Sequence, residues 1–343
     1  MYRIVVALLL LPAPLQCWTW LHTKRFDAAE LANVKNKHQI SFVNTNTPKF
    51  TQLILSWNCA PLNTGHLSFY VQARSRKTKK WLEMHHLSDW GANVACSYDR
   101  KGTHSQGCHV RLEIPKYADG YRVKIRAKNG ADVTSLRALF VNIADMAAFK
   151  EPYMPVTELL DSVLVDAVPQ YSQMILDHPR AAHMCSPTSL SMLLGFVFQR
   201  EIDPLNVAQG VYDEGLGTYG SWPFNAAFAY MVSHKQFVET NVPHWAVTRL
   251  GSFKELHAHL QRGIPLMISV RGFIPGSAKP YPSGHLLVPI GYDAKTNRVI
   301  CHDPAFDAPD KVKVSYDLDP FLQAWGRSRN LAIIMVPAKN SHA

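Results

Sequence analysis

The chain has 343 residues, 47% of them hydrophobic and 18% charged, which excludes a disordered or low-complexity protein and suggests about two domains. Thirty-six lysines and arginines against 26 acids leave a formal charge of +10, a surplus that suits anionic partners in general without selecting among them. No basic stripe interleaved with aromatics occurs, so no nucleic acid partner is expected.

The amino terminus reads as an export signal, placed at residues 1–17. Arg3 precedes an apolar run from Ile4 to Leu11, followed by Pro12 to Cys17. That run is too short to span a membrane, which takes about 20 apolar residues, and no later stretch is long enough. The expectation is a secreted, periplasmic or cell-envelope protein with no integral membrane segment once the signal is removed. A lipidated Cys17 is the alternative at that site. Of six cysteines, five would remain after processing, so at least one thiol stays free. Cys96 and Cys108 are the natural local pair. A zinc set combining them with His104 and His109 matches no familiar ligand spacing, so no metal is expected.

From about residue 22 to 150, apolar and polar residues alternate with period two. Thr51 to Trp57, Leu67 to Ala73, Val110 to Ile114, Tyr121 to Ala127 and Leu136 to Ile143 read as short strands of an antiparallel β-sandwich. Arg74, Arg76, Lys77, Lys79 and Lys80 fall between two strands, as a solvated hairpin tip or as a contact for an anionic cell-surface polymer. Trp57, Trp81, Trp90, Tyr70 and Tyr98 suit either core packing or a sugar-stacking platform. No credible acid pair occurs here, so this domain is expected to bind and not to catalyse. Pro152, Pro155 and scattered acids then mark a linker.

The stretch from about 160 to 340 carries the chemistry. Leu190, Leu193, Leu194, Val197 and Phe198 recur at helical spacing, with Ser186 as N-cap and Pro187 in the first turn. Cys185 would then stand at the positive end of a helix dipole, which favours the thiolate. Pro204 to Val211 follows, then a glycine loop to Trp222 and a helix over Phe224 to Tyr230 capped by Ser221. Ser252 to Glu255 is a capping box opening a helix that stops at Gly263. Leu266 to Val270, Leu286 to Ile290 and Arg298 to His302 read as strands, giving an α+β layout. If the last two pair about residue 294, His285 and Asp303 lie opposite each other on one face. An imidazole beside a carboxylate is what a general base needs, and a cysteine facing it completes a thiol-protease arrangement. His302 should point to the other face, and Cys301 reads as a buried thiol. His183 reads as a loop residue, and Trp222 is placed along the substrate cleft.

Cys185-Ser186-Pro187-Thr188-Ser189, Ser283-Gly284-His285 to Gly291-Tyr292-Asp293, and His302-Asp303-Pro304 together resemble the C39-like peptidases, bacterial relatives of the papain fold. Val168 to Gln173 and Tyr219 to Pro223 also resemble family segments, so the likeness spans nearly all of the second domain. The resemblance implies Cys185 as nucleophile, His285 as base, Asp303 as its orienting residue and Gln173 as oxyanion donor, with Gln170 in reserve. Ser186 stands where many members have glycine, beside the approach of the substrate. No cofactor is implied. The substrate implied is a peptide or protein, cut at a peptide or isopeptide bond. Transporter-linked relatives cut leader peptides, but this chain carries neither a span nor an ATP-binding motif. The competing readings are an envelope acyltransferase or amidase using the same site, and a surface-binding protein that has lost activity.

Overall fold

The computed structural model describes residues 17–26, 30–31, 38–151, 159–238 and 241–337. The export signal lies outside them, apart from Cys17. None of the described helices is long and apolar enough to cross a membrane.

The first ten strands are β1 (Thr19–Arg25), β2 (Gln39–Asn44), β3 (Phe50–Cys59), β4 (His66–Ser75), β5 (Trp81–Gly91), β6 (Val94–Ser97), β7 (Arg100–Lys101), β8 (Gln106–Cys108), β9 (Arg111–Lys128) and β10 (Leu136–Ala144). The two expected strands around Ile114 and Val123 are one. β9 runs through Pro115 and Gly120, pairing near Arg111–Glu113 with β3 and β8 and over Tyr121–Arg126 with β2 and β4. It therefore passes from one layer of the sandwich to the other. Proline suits that bend, because the missing N–H removes a ladder partner where the pairing changes hands.

The second half contains β11 (Val163–Leu164), α1 (Cys185–Phe198), α2 (Pro204–Val211), α3 (Trp222–Gln236), β12 (His244–Arg249), α4 (Phe253–Gln261), β13 (Met267–Gly272), β14 (Tyr281–Asp293), β15 (Arg298–His302), β16 (Lys313–Asp317), α5 (Leu318–Arg327) and β17 (Leu331–Val336). Its sheet runs β12-β17-β13-β14-β15-β16, all antiparallel, with β11 added on β14. The capping box ahead of α4 is offset by one residue. Ser252 Oγ accepts from Glu255 N–H, while Glu255 reaches Gly251 N–H at 2.9 Å.

Each half has its own main core, and each core recruits residues of the other half. Leu53 to Cys59 of β3 are buried on both faces. One face fills the sandwich, where Trp57 stacks on Phe69 at 3.9 Å. The other supports the second half: Ile54, Ala138 and Phe140 join the core that contains α1 and β14. Phe224 of α3 enters the sandwich core in return, between Trp57 and Trp90. Trp57 and Trp90, expected as platform candidates, are thus core residues. Polar groups follow the same seam. Asn58 accepts from Trp245 N–H and donates to Trp245 O, and buried Arg249 donates to Gln52. Phe224→Ala removes a fully buried ring held by both halves, so it should cost about 3–5 kcal/mol. The expected result is a single urea transition at lower midpoint. Two separated transitions would show the seam to be dispensable.

Candidate active site

α1 starts earlier than its capping residues suggest. Cys185 is its first residue, Met184 its cap, and Thr188 N–H donates to Met184 O at 3.1 Å. Ser186 does not cap and does not face a substrate. It is fully buried, and its hydroxyl donates to Asn225 Oδ1 on α3 at 3.1 Å. The expected apolar stripe is also too narrow a description, because Ser186 through Gly195 are all buried and α1 is a central helix. Cys185 is half-buried as a residue, and its sulfur stands where unpaired first-turn N–H groups favour negative charge.

β14 carries His285. Ser189, one turn beyond the cysteine, donates to Leu286 O at 3.0 Å, and Leu286 N–H bonds the Cys185 sulfur. α1 and β14 are therefore fastened to each other at the residue next to His285. The imidazole Nε2 lies 2.8 Å from Asp303 Oδ1, leaving Nδ1 for its hydrogen bond with Cys185. The hairpin register differs from the expected one. Val288 pairs with His302 and Pro289 with Cys301 before a bulge, which puts Leu287 opposite position 303. His285 and Asp303 share a face as diagonal neighbours, and the length of the imidazole closes the gap.

Asp303 has no exposed surface and accepts four hydrogen bonds. Besides His285, Ala305 N–H reaches Oδ1 at 2.9 Å, and the hydroxyls of Tyr281 and Tyr316 each reach Oδ2 at 2.7 Å. Tyr281 also stacks flat on the imidazole, with centroids 4.0 Å apart and planes 12° apart. Neither tyrosine was anticipated. Tyr281 has a sequence signal, because it stands an even number of residues before His285 on an extended stretch. Tyr316 has none, since β16 meets the site only through the fold.

Burial opposes charge on all three groups, and the partners overcome it. Burial raises the Cys185 thiol, but the adjacent imidazolium brings it below the ordinary value. Burial lowers His285, yet Asp303 first and the thiolate second raise it well above its usual range. Burial likewise raises Asp303, and His285 with the surrounding donors holds it below the normal carboxylate range. All three shifts act in the direction that favours a charged thiol–imidazole pair backed by a carboxylate.

Of the two glutamines, Gln170 is exposed and Gln173 is buried. Gln173 N–H donates to Pro304 O at 2.9 Å and its Nε2 to Ala181 O at 3.1 Å, tying it to the residue after Asp303 and to the turn before Cys185. Trp222, partly buried at the start of α3, lies under the Arg111 guanidinium at 5.9 Å, so a side chain of the first half reaches the start of that helix. Ser221 cannot cap α3, because its hydroxyl is bonded to buried Asp213, which also takes Ser97 N–H of β6 at 2.9 Å. His302 turns away from the site and bonds Pro169 O at 3.1 Å, His183 is exposed, and Cys301 is buried. Cys96 and Cys108 are both free thiols, so the expected pair is not joined. His104 is taken up by Glu83, while Cys108 and His109 lie beside Asp99.

Residues 165–333 match the model of the Peptidase_C39 like family. Among solved structures, a putative C39-like peptidase from Bacillus anthracis is 20% identical, covering 52% of this chain and 98% of its own at a TM-score of 0.38. Xylellain, a cysteine protease from Xylella fastidiosa, is 12% identical over 57% of this chain and 93% of its own, TM-score 0.35. Procathepsin B from Trypanosoma congolense is 10% identical over 54% and 82%, TM-score 0.34. No curated protein matches the chain. The span of the family match contains the thiol, the imidazole and the carboxylate, and it makes this chain a C39-like family protein and a cysteine peptidase.

Proposed function

We propose that the chain hydrolyses peptide bonds through an acyl-enzyme on Cys185. The thiolate attacks the scissile carbonyl carbon, and the His285 imidazolium gives its proton to the leaving amine. His285 then takes a proton from water, which attacks the thioester, releases the acid and restores the thiolate. Asp303 holds the ring with Nε2–H toward itself and stabilises the charged form. The oxyanion is received by the backbone N–H of Cys185 and by Gln173, whose amide has one proton beyond the bond to Ala181. The observation carrying the reading is the contact of the Cys185 sulfur with an imidazole that is itself bonded to a buried carboxylate. The apolar run behind Arg3 supports an exported protein, acting outside the cytoplasm.

The test sets Cys185 against the other thiols of the chain. Burial raises the thiols of Cys59, Cys96, Cys108 and Cys301, whereas Cys185 is lowered. In a thiol-alkylation series from mildly acidic to alkaline pH, Cys185 should react at the acid end, ahead of the four thiols that burial raises. Hydrolysis of a fluorogenic peptide library should disappear in step with labelling of the Cys185 peptide. Hydrolysis that survives full alkylation of Cys185 overturns the reading, as does labelling no faster than a free model thiol.

A further inference from the structure

A groove of about 1130 Å³ lies on the sandwich, at the turn between β4 and β5, and not over the thiol. The basic cluster around it is divided by the fold. Arg74 and Lys79 turn to Asp119 and are neutralised there. Arg76, Lys77 and Lys80 are exposed and line the groove together with Lys116 from the bend of β9. Among the described residues, no carboxylate pairs with these four. Two half-buried rings share the wall, Trp81 under the Arg122 guanidinium at 4.3 Å and Tyr117 under Lys49 Nζ at 4.3 Å.

We infer that this groove binds an acidic polysaccharide, a chain of sugar rings bearing spaced carboxylates. Flat faces on Trp81 and Tyr117 suit the C–H faces of sugar rings, and four unpaired cations suit carboxylates arrayed along them. An acidic peptide offers the charge without the rings. A nucleic acid offers both, but Glu83 also lines the groove, held ionised by His104, Thr103 N–H and Ser105. That fixed carboxylate can accept from sugar hydroxyls, which a polysaccharide supplies on every ring and a deoxynucleotide chain such as oligo(dT) lacks. The inference does not depend on the peptidase chemistry, since no residue of the groove belongs to the Cys185 site.

The experiment measures binding of the full chain to immobilised polygalacturonate, dextran, poly-L-glutamate and oligo(dT) at low and high salt. Polygalacturonate should be retained and released by salt, with dextran left unbound. The double variant K77E/K80E, and separately Trp81→Ala, should each weaken retention by about ten-fold, corresponding to ~1.4 kcal/mol. Peptide hydrolysis and thermal midpoint of K77E/K80E should stay at the parent values. Binding of K77E/K80E within two-fold of the parent overturns the inference. So does poly-L-glutamate bound as tightly as polygalacturonate, or oligo(dT) bound more tightly.

Discussion

Cys185→Ala should lower kcat/KM for peptide hydrolysis by about 10⁴-fold or more, while the protein keeps its fold. In the proposed mechanism the acyl bond forms on this sulfur and alanine offers no nucleophile, while the hydroxyls of Ser186 and Ser189 in the same turn are buried and bonded to Asn225 and Leu286. What remains is whatever binding and the oxyanion donors supply without a nucleophile. The helix should not move. Ser186 still donates to Asn225 and Ser189 to Leu286, and neither bond involves the thiol. A change of ~1 kcal/mol would shift the thermal midpoint by about 2–4 °C for a domain of this size, so a larger drop would mean that the sulfur also holds the structure. The sign at His285 is a second readout. Its thiolate neighbour helps to raise it, so in Cys185→Ala the imidazole should titrate at lower pH than in the parent, though still raised by Asp303. Activity within ten-fold of the parent, or a His285 titration that does not move, would remove the thiolate–imidazolium pair from the mechanism.

The parts of the fold that could be read from sequence are those whose signals are local. Pro204, Ser252 and the alternation through Leu67 to Ala73 each announce an element near where it stands. β12, β16, α5 and β17 were not foreseen, because each is defined by what it packs on. β12, for example, is answered on one side by β17 and on the other by side chains of β3 such as Asn58 and Ser56. The burial of β3 on both faces had no such signal: Leu53, Leu55, Trp57 and Cys59 alternate with Ile54, Ser56 and Asn58 as in a strand with one polar face, and that face is buried only because Ser56 and Asn58 bond β12. At the site, Cys185, His285 and Asp303 were legible because a helix start and a short hairpin fix them nearly alone. The register differs because the turn closes on Asp293 and Arg298, later in the chain than a pairing about residue 294, and the bulge between Pro289 and Gly291 then shifts it back by one residue, which returns His285 and Asp303 to one face. Ser186 illustrates the reverse failure. A serine ahead of a proline looks like a cap, but once Asn225 is packed against it the hydroxyl is needed between helices.

Asp303→Asn separates orientation from charge at the same position. The amide oxygen can still accept from His285 Nε2–H and Ala305 N–H, and its NH₂ can donate to Tyr281 and Tyr316, whose hydroxyls accept as well as donate. The ring should therefore stay in place, stacked on Tyr281. What is lost is the negative charge, the largest factor raising His285 against its burial. With that gone, desolvation lowers the imidazole and the proton returns toward the sulfur, leaving a thiol where a thiolate stood. The expected result is a fall of about 10²–10³-fold in kcat/KM, smaller than the ~10⁴ seen when a triad carboxylate is replaced and the tautomer is wrong. The pH profile should contract on its alkaline side, because the limb set by His285 loses the charge that raises it and moves down. Asp303→Ala should go further, since it leaves two buried tyrosine hydroxyls and Ala305 N–H without an acceptor, and each such group costs about 1–3 kcal/mol. Tyr281→Phe keeps the stacked ring and removes one donor, so it should fall by less than either. If Asp303→Asn keeps parental activity and an unmoved alkaline limb, the carboxylate serves only to pack the hairpin, and the base must draw its strength from elsewhere.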